Sequence, residues 1–406
     1  MTVTAARESL SMAGASARRK VHVLHSYKIY KPDVDGGIPA VISVLTQMAA
    51  PDVENEILTA RKFGWFRRLS DGAAAVTAVT SLGDISSLPF APTFLYWVMA
   101  RAKASDVLVH HVPFPLTDLA VAVFGLPERT ALIVHWHGDI DGRPLLKQLL
   151  APIFRRALAR ADAVIVSDDV MVANSPFLRP VAAKCVAIPY GIDTAYWRAL
   201  DDGECRAADD LRRKHPRLVV ALGRLVGYKG YEILLQAMPR VDAHLIIVGD
   251  GPLRDKLTNL ARELGIADRI TFAGRLPRDQ AKTVVHASSV FVMPSNTIGE
   301  AFGLAQVEAM AAGRPVVNTA LPTTVPLVAR HNLEGLTVPP DDPVALAAGL
   351  QRLLDEPALA ARLGAAAQAR AASEFDQAIF VRRVENLYQK VTQSRCTAPK
   401  NALDER

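Results

Sequence analysis

Two carboxylates, two cations and one histidine are spaced in this chain so as to do chemistry. Glu300 and Glu308 flank the run Ala-Phe-Gly-Leu-Ala-Gln-Val, which puts one just before a helix start and the other about a turn and a half inside it. A ligand site is built in this way. Ser289–Pro294 reads as a buried strand, the stretch to Gly299 as a loop, and Gly303–Ala312 as a helix with Leu304, Val307 and Ala311 on one face. A helix start at the carboxyl end of a strand is where open α/β sheets bind ligands. Free N–H groups of Phe302, Gly303 and Leu304 would attract an oxygen-rich or anionic group there. Arg224 and Lys229 stand on a loop after another strand, in Leu222-Gly-Arg-Leu-Val-Gly-Tyr-Lys-Gly230. Fixed cations aimed at a departing diphosphate stabilise its charge as the bond breaks. His137 closes a strand in Val134-His-Trp-His-Gly-Asp139 and faces the same kind of cleft.

The elements that must position these residues come in two series. Short β-branched runs alternate with helical stretches twice over, the signature of doubly wound parallel sheets. The first series runs through Val21–His25, Glu56–Thr59, Val76–Thr80, Asp106–His110, Ala131–Trp136, Ala163–Val166 and Lys184–Ile188. The second runs through Leu218–Leu222, His244–Val248, Ile270–Ala273, Val290–Met293, Pro315–Val317 and Leu336–Val338. Gly191–Tyr196 and the acidic stretch Asp201–Glu204 read as the linker between them. Asp35-Gly36-Gly37 follows the first strand and opens a helix, so its glycines let backbone approach a ligand. It is not the G-x-G-x-x-G of a dinucleotide binder, which counts against a dehydrogenase.

At 406 residues the chain exceeds the size at which one core stops growing, so two domains are expected. The expected division is a loose leader at 1–19, one domain at 20–198 and a second at 199–375. After Asp341 the pattern is helical, ending in Phe375–Val391, and the stretch from Thr392 to Arg406 has no apolar periodicity and reads as a disordered tail. No apolar run is long enough to span a bilayer, and the first 20 residues lack a signal-peptide core. Cys185, Cys205 and Cys396 are spaced for neither metal nor disulfide, which points to the reducing cytoplasm.

The formal charge of +6 suits anionic partners. Its lysines and arginines are spread along the chain without a nucleic-acid fold signature, so nucleic acid is discounted. One cluster is local. Arg61-Lys-Phe-Gly-Trp-Phe-Arg-Arg-Leu69 mixes four cations with two phenylalanines and a tryptophan. It reads equally as a contact with an anionic membrane, at the inner face of the cytoplasmic membrane, or as an ordinary basic surface loop.

The Glu-x7-Glu segment, with Met293-Pro-Ser before it and Glu308-Ala-Met-Ala-Ala-Gly-Arg-Pro-Val-Val317 closing it, resembles the family 4 retaining glycosyltransferases of the GT-B type. Gly223-Arg-Leu and Lys229-Gly match that family too, and the likeness covers residues 20 to about 395. It implies an α/β GT-B fold, two Rossmann-like doubly wound parallel-sheet domains facing a central cleft, with the donor in the second domain and the acceptor in the first. It also implies a last helix, residues 376–395, crossing back onto the first domain, and a tail at 396–406.

The same resemblance implies roles for single residues. Glu308 would hold the donor's ribose and Glu300 its sugar hydroxyls, while Arg224 and Lys229 would stabilise the leaving diphosphate. His137 would meet the donor sugar, and Gly36, Gly37 and Gly251 would lie beside the nucleotide. Phe302, Gly303 and Leu304 would cradle the donor at the helix start, and Arg275 would lie near the base. His111 and Asp139 are candidate acceptor contacts. Asp33-Val-Asp35 and Asp139-Ile-Asp141 sit in the wrong loops for a metal-dependent type, so neither a metal nor another cofactor is expected.

The runs His110-His-Val-Pro-Phe-Pro-Leu-Thr-Asp118 and His135-Trp-His-Gly-Asp139 look like the subset of the family that builds bacterial surface polysaccharide, several members of which take GDP-mannose or related sugars. A hexose, mannose-like, moved from a GDP-sugar to a glycan or polyprenyl-linked acceptor is the expected reaction. A UDP-sugar is the alternative donor. A glycoside hydrolase would also want two carboxylates but no diphosphate clamp, and a non-catalytic nucleotide-sugar binder would have no need of Glu308, Arg224 and Lys229 together.

Overall fold

The computed structural model of the protein describes residues 20–34, 36–85, 88–139 and 144–397. The leader at 1–19, Asp35, Asp141 and the last nine residues of the expected tail lie outside them.

The first sheet is built from β1 (Val21–Ile29), β2 (Val53–Ala60), β3 (Arg67–Asp71), β4 (Ala74–Val79), and then, after a two-stranded hairpin of β5 (Asp84–Ile85) and β6 (Leu88–Pro89), β7 (Val107–Val112), β8 (Ala131–Trp136), β9 (Ala163–Val166) and β10 (Cys185–Ala187). Its spatial order is β10-β9-β8-β7-β1-β2-β4-β3. All neighbours are parallel except β3, which lies antiparallel on β4 at the edge. Every residue of β7 and β8 is buried, as expected of parallel strands covered by helices on both faces. The strand order reverses between β1 and β7.

The second sheet holds β11 (Leu218–Leu222), β12 (His244–Val248), β13 (Ile270–Gly274), β14 (Val290–Met293), β15 (Val316–Thr319) and β16 (Gly335–Val338). It is entirely parallel, in the order β13-β12-β11-β14-β15-β16. This is the doubly wound order in which a crevice opens outside the carboxyl ends of the two strands flanking the reversal, here β11 and β14. Arg224 and Lys229 follow β11, and Glu300 follows β14.

The helix Gln377–Thr397 ties the halves together. It follows the helix Pro357–Glu374 and packs on the first sheet's side, where Glu385 accepts the Ala50 N–H at 2.8 Å and Arg395 pairs with Asp162 at 2.9 Å. Phe380, Val384, Leu387 and Tyr388 share a buried cluster with Val23 and Val41 of the first domain and with Phe291 and Phe302 of the second.

Three expectations are corrected. Arg67–Asp71, read only as part of a basic segment, is an edge strand, because alternate pairing with Ala74–Ala78 needs no apolar run. Asp201–Glu204 is the start of a helix: Asp201 caps it and Glu204 returns the bond, a reciprocal cap that satisfies two end N–H groups. The last helix runs on to Thr397, past the expected start of the disordered tail at Thr392.

Candidate active site

Pro294–Gly303 links β14 to the helix Leu304–Ala311. Gly303, at φ +80, caps that helix in the left-handed region. A Cβ there would stand 2.4 Å from Met293 Cε, the far end of a flexible side chain, so it is the backbone conformation that requires glycine. Gly230, at φ +68, is fixed by packing as well, since a Cβ would fall 1.9 Å from the Pro294 carbonyl oxygen. The Lys229 loop and the Glu300 loop therefore touch backbone to backbone, and this contact aims their side chains at one point. Lys229 Nζ lies 2.5 Å from Glu300 Oε2, which also accepts from Ser295 Oγ at 3.1 Å. Both side chains are largely buried.

The electrostatics follow from that pairing. Burial is the largest influence and opposes the Lys229 charge, but Glu300, with Tyr228 and Glu308 behind it, holds the ammonium above its ordinary pKa. Glu308 sits one and a half turns into the helix, and burial pushes its carboxyl up to about 7 against the pull of Arg278 and Lys229. Arg224 differs from both. It is exposed, and its guanidinium makes no ion pair or hydrogen bond among the described residues. Nor do the N–H groups of Phe302, Gly303 and Leu304 find an acceptor there. One free guanidinium, one buried ammonium and a helix start with free N–H groups make an anion cradle with a carboxylate beside it.

The first domain meets this loop directly. A Cβ on Gly138, one residue beyond His137, would lie 3.6 Å from the Ala301 Cβ, one residue beyond Glu300. Tyr190 packs edge-on against Phe302 with ring centroids 5.0 Å apart, and Ser167 Oγ is 2.9 Å from Thr324 Oγ1. The strand end carrying His137 and the start of the donor helix are thus opposite walls of one site. Gly36 and Gly37 open the helix Gly37–Gln47 with no atom within 4 Å of a would-be Cβ, so space is open above them. Gly251 closes the floor of the second domain, its Cβ position 2.6 Å from the Leu225 carbonyl oxygen.

Two expected acceptor contacts are placed differently. His111 is wholly buried and both ring nitrogens bond other histidines, so it touches no acceptor. Asp139 takes Trp136 Nε1 and Ser175 Oγ on one oxygen and Lys147 on the other, at 3.1, 2.8 and 3.3 Å, which makes it the anchor of its loop. His137 is brought to the site wall, but its nitrogens are engaged too, Nε2 by His111 and Nδ1 by Tyr190. Phe302 is buried, its ring packed between Tyr190 and Phe375, which leaves its backbone rather than its side chain to meet a ligand in the crevice. Ser295 and Arg278 were not anticipated as site residues. Ser295 was readable from its place directly after the strand, whereas nothing marked Arg278.

His111, His135 and His137 each bring one nitrogen within 4.8 Å of the others, a donor set of the kind that suits a borderline metal ion. The rings do not fit one. His135 lies face to face with His137, centroids 4.2 Å apart and planes 23° apart, so their in-plane lone pairs run side by side rather than converging.

Models of two glycosyltransferase families match the chain. "Glycosyl transferase 4-like domain" covers residues 35–191 and "Glycosyl transferases group 1" covers residues 207–370. The chain belongs to the family 4 glycosyltransferases. As a member of that family it is similar to the D-rhamnosyltransferase WbpZ of Pseudomonas aeruginosa, at 29% identity over 86% of this chain and 91% of the relative. It is also similar to the O-antigen chain mannosyltransferase C of Escherichia coli, at 27% identity over 92% and 100%. The family 4 fold matches that of the sucrose-phosphate synthase of Thermosynechococcus elongatus, with a TM-score of 0.80 at 22% identity, covering 92% of this chain and 100% of that one. The chain is therefore a glycosyltransferase of the GT-B fold, similar to a rhamnosyltransferase and a mannosyltransferase.

Proposed function

We propose that the protein is a retaining hexosyltransferase that moves a mannose-like sugar from a GDP-sugar to a glycan or lipid-linked acceptor without a metal. The observation that carries this is the Lys229–Glu300 pair at the β11/β14 crevice, with Arg224 free beside it. In this reading the diphosphate lies on Arg224, Lys229 and the N–H groups at Gly303, which supply the charge a metal would otherwise supply. Glu308 takes the ribose hydroxyls and Glu300 the sugar hydroxyls.

Retention by a carboxylate nucleophile would need a free carboxylate under the anomeric carbon. The Glu300 carboxylate already holds Lys229 and Ser295, which favours a front-face route. The bond from the anomeric carbon to the diphosphate breaks, the departing phosphate oxygen takes the acceptor hydroxyl's proton, and the new glycosidic bond forms on the same face.

The preference for mannose and GDP rests on the likeness of the first-domain histidine runs to family members using GDP-mannose, and on the mannosyl relative named above. The acceptor enters over the first domain. Arg61–Leu69 and its neighbours make an exposed surface of aromatic rings and cations there, which fits an anionic membrane carrying a lipid-linked acceptor. Trp65 is 80% exposed, Phe63 70% and Tyr96 70%, while Phe66 stacks on Trp97 at 5.1 Å with Arg68 over its ring.

Calorimetric titration without added metal, against GDP, UDP, ADP and their mannose and glucose conjugates, tests the donor site. Binding of GDP or GDP-mannose that is lost in Arg224→Ala and Glu308→Ala is expected. Binding of no nucleotide, or binding indifferent to both changes, overturns the assignment. The anomeric configuration of the product, read by NMR, tests retention separately.

A further inference from the structure

Three neighbouring strands of the first sheet place four histidines on one face. β7 and β8 pair His111 with His135, His137 lies two residues on, and β1 sets His25 opposite Val109. His25, His111 and His135 are completely buried and His137 is 9% exposed. Strand alternation puts His135 and His137 on one face, but His25 and His111 are too far from them in the chain for local structure to do so; parallel register brings these in.

Three of these rings form a continuous hydrogen-bonded chain. Asn55 Oδ1 is 3.0 Å from His25 Nε2, His25 Nδ1 is 3.0 Å from His111 Nε2, His111 Nδ1 is 2.9 Å from His137 Nε2, and His137 Nδ1 is 2.8 Å from Tyr190 Oη. Successive imidazoles lie nearly coplanar, with planes 23° and 15° apart and centroids 5.3 and 5.2 Å apart. They therefore meet edge to edge, with lone pairs in line. His135 stands outside the chain, stacked on the face of His137, and its nitrogens have no partner among the described residues.

Such a chain has a direction, and one end sets it. An amide oxygen only accepts, so His25 must carry its hydrogen on Nε2 and accept at Nδ1. His111 then donates from Nε2 and accepts at Nδ1, and His137 does the same. Tyr190 donates its hydroxyl to His137. Reversing the Asn55 amide would reverse every bond in the chain. Burial holds these rings neutral at physiological pH, with His25 lowered to about 4, His137 to about 3 and His111 well below the ordinary histidine value.

We propose that Asn55, His25 and His111 are positioning residues for the transfer site: they impose one tautomer on His137 and, through Tyr190, set the seat of Phe302 at the start of the donor helix. The link to transfer rests on the function proposed above; the tautomers do not. Tyr190 is the joint, because its hydroxyl is committed to His137 while its ring edge meets Phe302 at 89°. Its ring also stacks on His135 and meets Phe380 of the crossing helix. The chain ends at an amide, which relays no proton, so it fixes geometry rather than carrying charge away.

The test is a two-dimensional 1H–15N spectrum of the full chain labelled at histidine, at pH 7, alongside steady-state kinetics. Wild type is expected to show the Nε2–H tautomer at His25, His111 and His137. Asn55→Leu removes the terminal acceptor and should mix the tautomers at all three, lowering kcat by up to about a hundredfold with little change in donor KM. Asn55→Asp keeps an acceptor and should restore both. An Nδ1–H form or a mixture at His137 in wild type overturns the proposal, and this reading needs no variant to fold. Asn55→Leu with unchanged tautomers also overturns it. A wild-type chain with the expected tautomers but no turnover of any nucleotide-sugar leaves the chain standing and sinks the transferase reading instead.

Discussion

Lys229 and Glu300 form a largely buried ion pair, Nζ to Oε2 at 2.5 Å, between loops that leave two different strands of the second sheet. Neither loop could hold its charge there alone: a lone buried ion costs several kcal/mol of desolvation. Paired, they place a permanent cation at the crevice and keep a carboxylate oriented for hydrogen bonding. Arg224, five residues earlier on the Lys229 loop, is the exposed counterpart, its guanidinium unpaired among the described residues.

The two cations should therefore separate in their effects. Lys229→Ala strands Glu300 in the interior and is expected to destabilise the fold by about 3–5 kcal/mol as well as abolishing transfer. Arg224→Ala leaves the fold intact and lowers kcat by about 10²–10³-fold. Urea unfolding and initial rates on both variants check this. A Lys229→Ala protein as stable as wild type would show that the pair is not buried.

Glu308 gives a pH signature with a definite sign. Its carboxyl keeps a proton up to about pH 7 in the folded chain and only to 4.5 ordinarily. Between those values the folded state binds more protons, so its contribution is fully present below pH 4.5 and is lost as pH rises through 7. The expected loss is about 1–3 kcal/mol, discounted because the side chain is partly exposed. Glu308→Gln should flatten Tm against pH across this window. Donor hydroxyls bonding the carboxylate would favour its ionised form, so nucleotide binding at pH 6.5 should release a proton, visible as a buffer-dependent heat.

Gly303→Ala should fail chiefly through its backbone. It forces a left-handed φ on an L side chain, while its Cβ need only displace the flexible end of Met293. A loss of about 1–3 kcal/mol in urea unfolding is expected from the backbone alone. Met293→Ala in the same chain should recover the packing part and not the backbone part, and donor affinity should follow the backbone.

The second domain was almost fully legible, because its strands are short, largely apolar runs containing β-branched residues and its site loops carry motif residues that must be adjacent in sequence. The first domain was less so. β3 has no apolar run to betray it. At the start of the second domain the Asp201 cap looked like an acidic linker because capping and linking favour the same residues. His111 and Asp139 have the chemistry of acceptor contacts, but strand register turned one inward and three hydrogen-bond donors took the other. Asn55 and Tyr190 gave no signal, since their meaning comes only from rings that other strands bring to them.

The aromatic surface of the first domain yields the last expectation. Arg61 is not free to meet lipid, since Asp33 takes its guanidinium at 2.6 Å, so Lys62, Arg67 and Arg68 are left as the headgroup-facing cations. Trp65 and Phe63 stand furthest into solvent, and Leu82 and Phe90, which the bond from Leu82 N–H to the Phe90 carbonyl holds together, extend the apolar surface. Each cation near an anionic surface contributes about 1 kcal/mol. Cosedimentation with vesicles containing anionic lipid should therefore exceed that with neutral vesicles and weaken with salt. It should fall about tenfold or more in Arg67→Glu with Arg68→Glu. Trp65→Ala should weaken binding to both kinds of vesicle, because the ring inserts regardless of charge. Equal binding to neutral and anionic vesicles, unmoved by any of these changes, would return the segment to an ordinary surface loop.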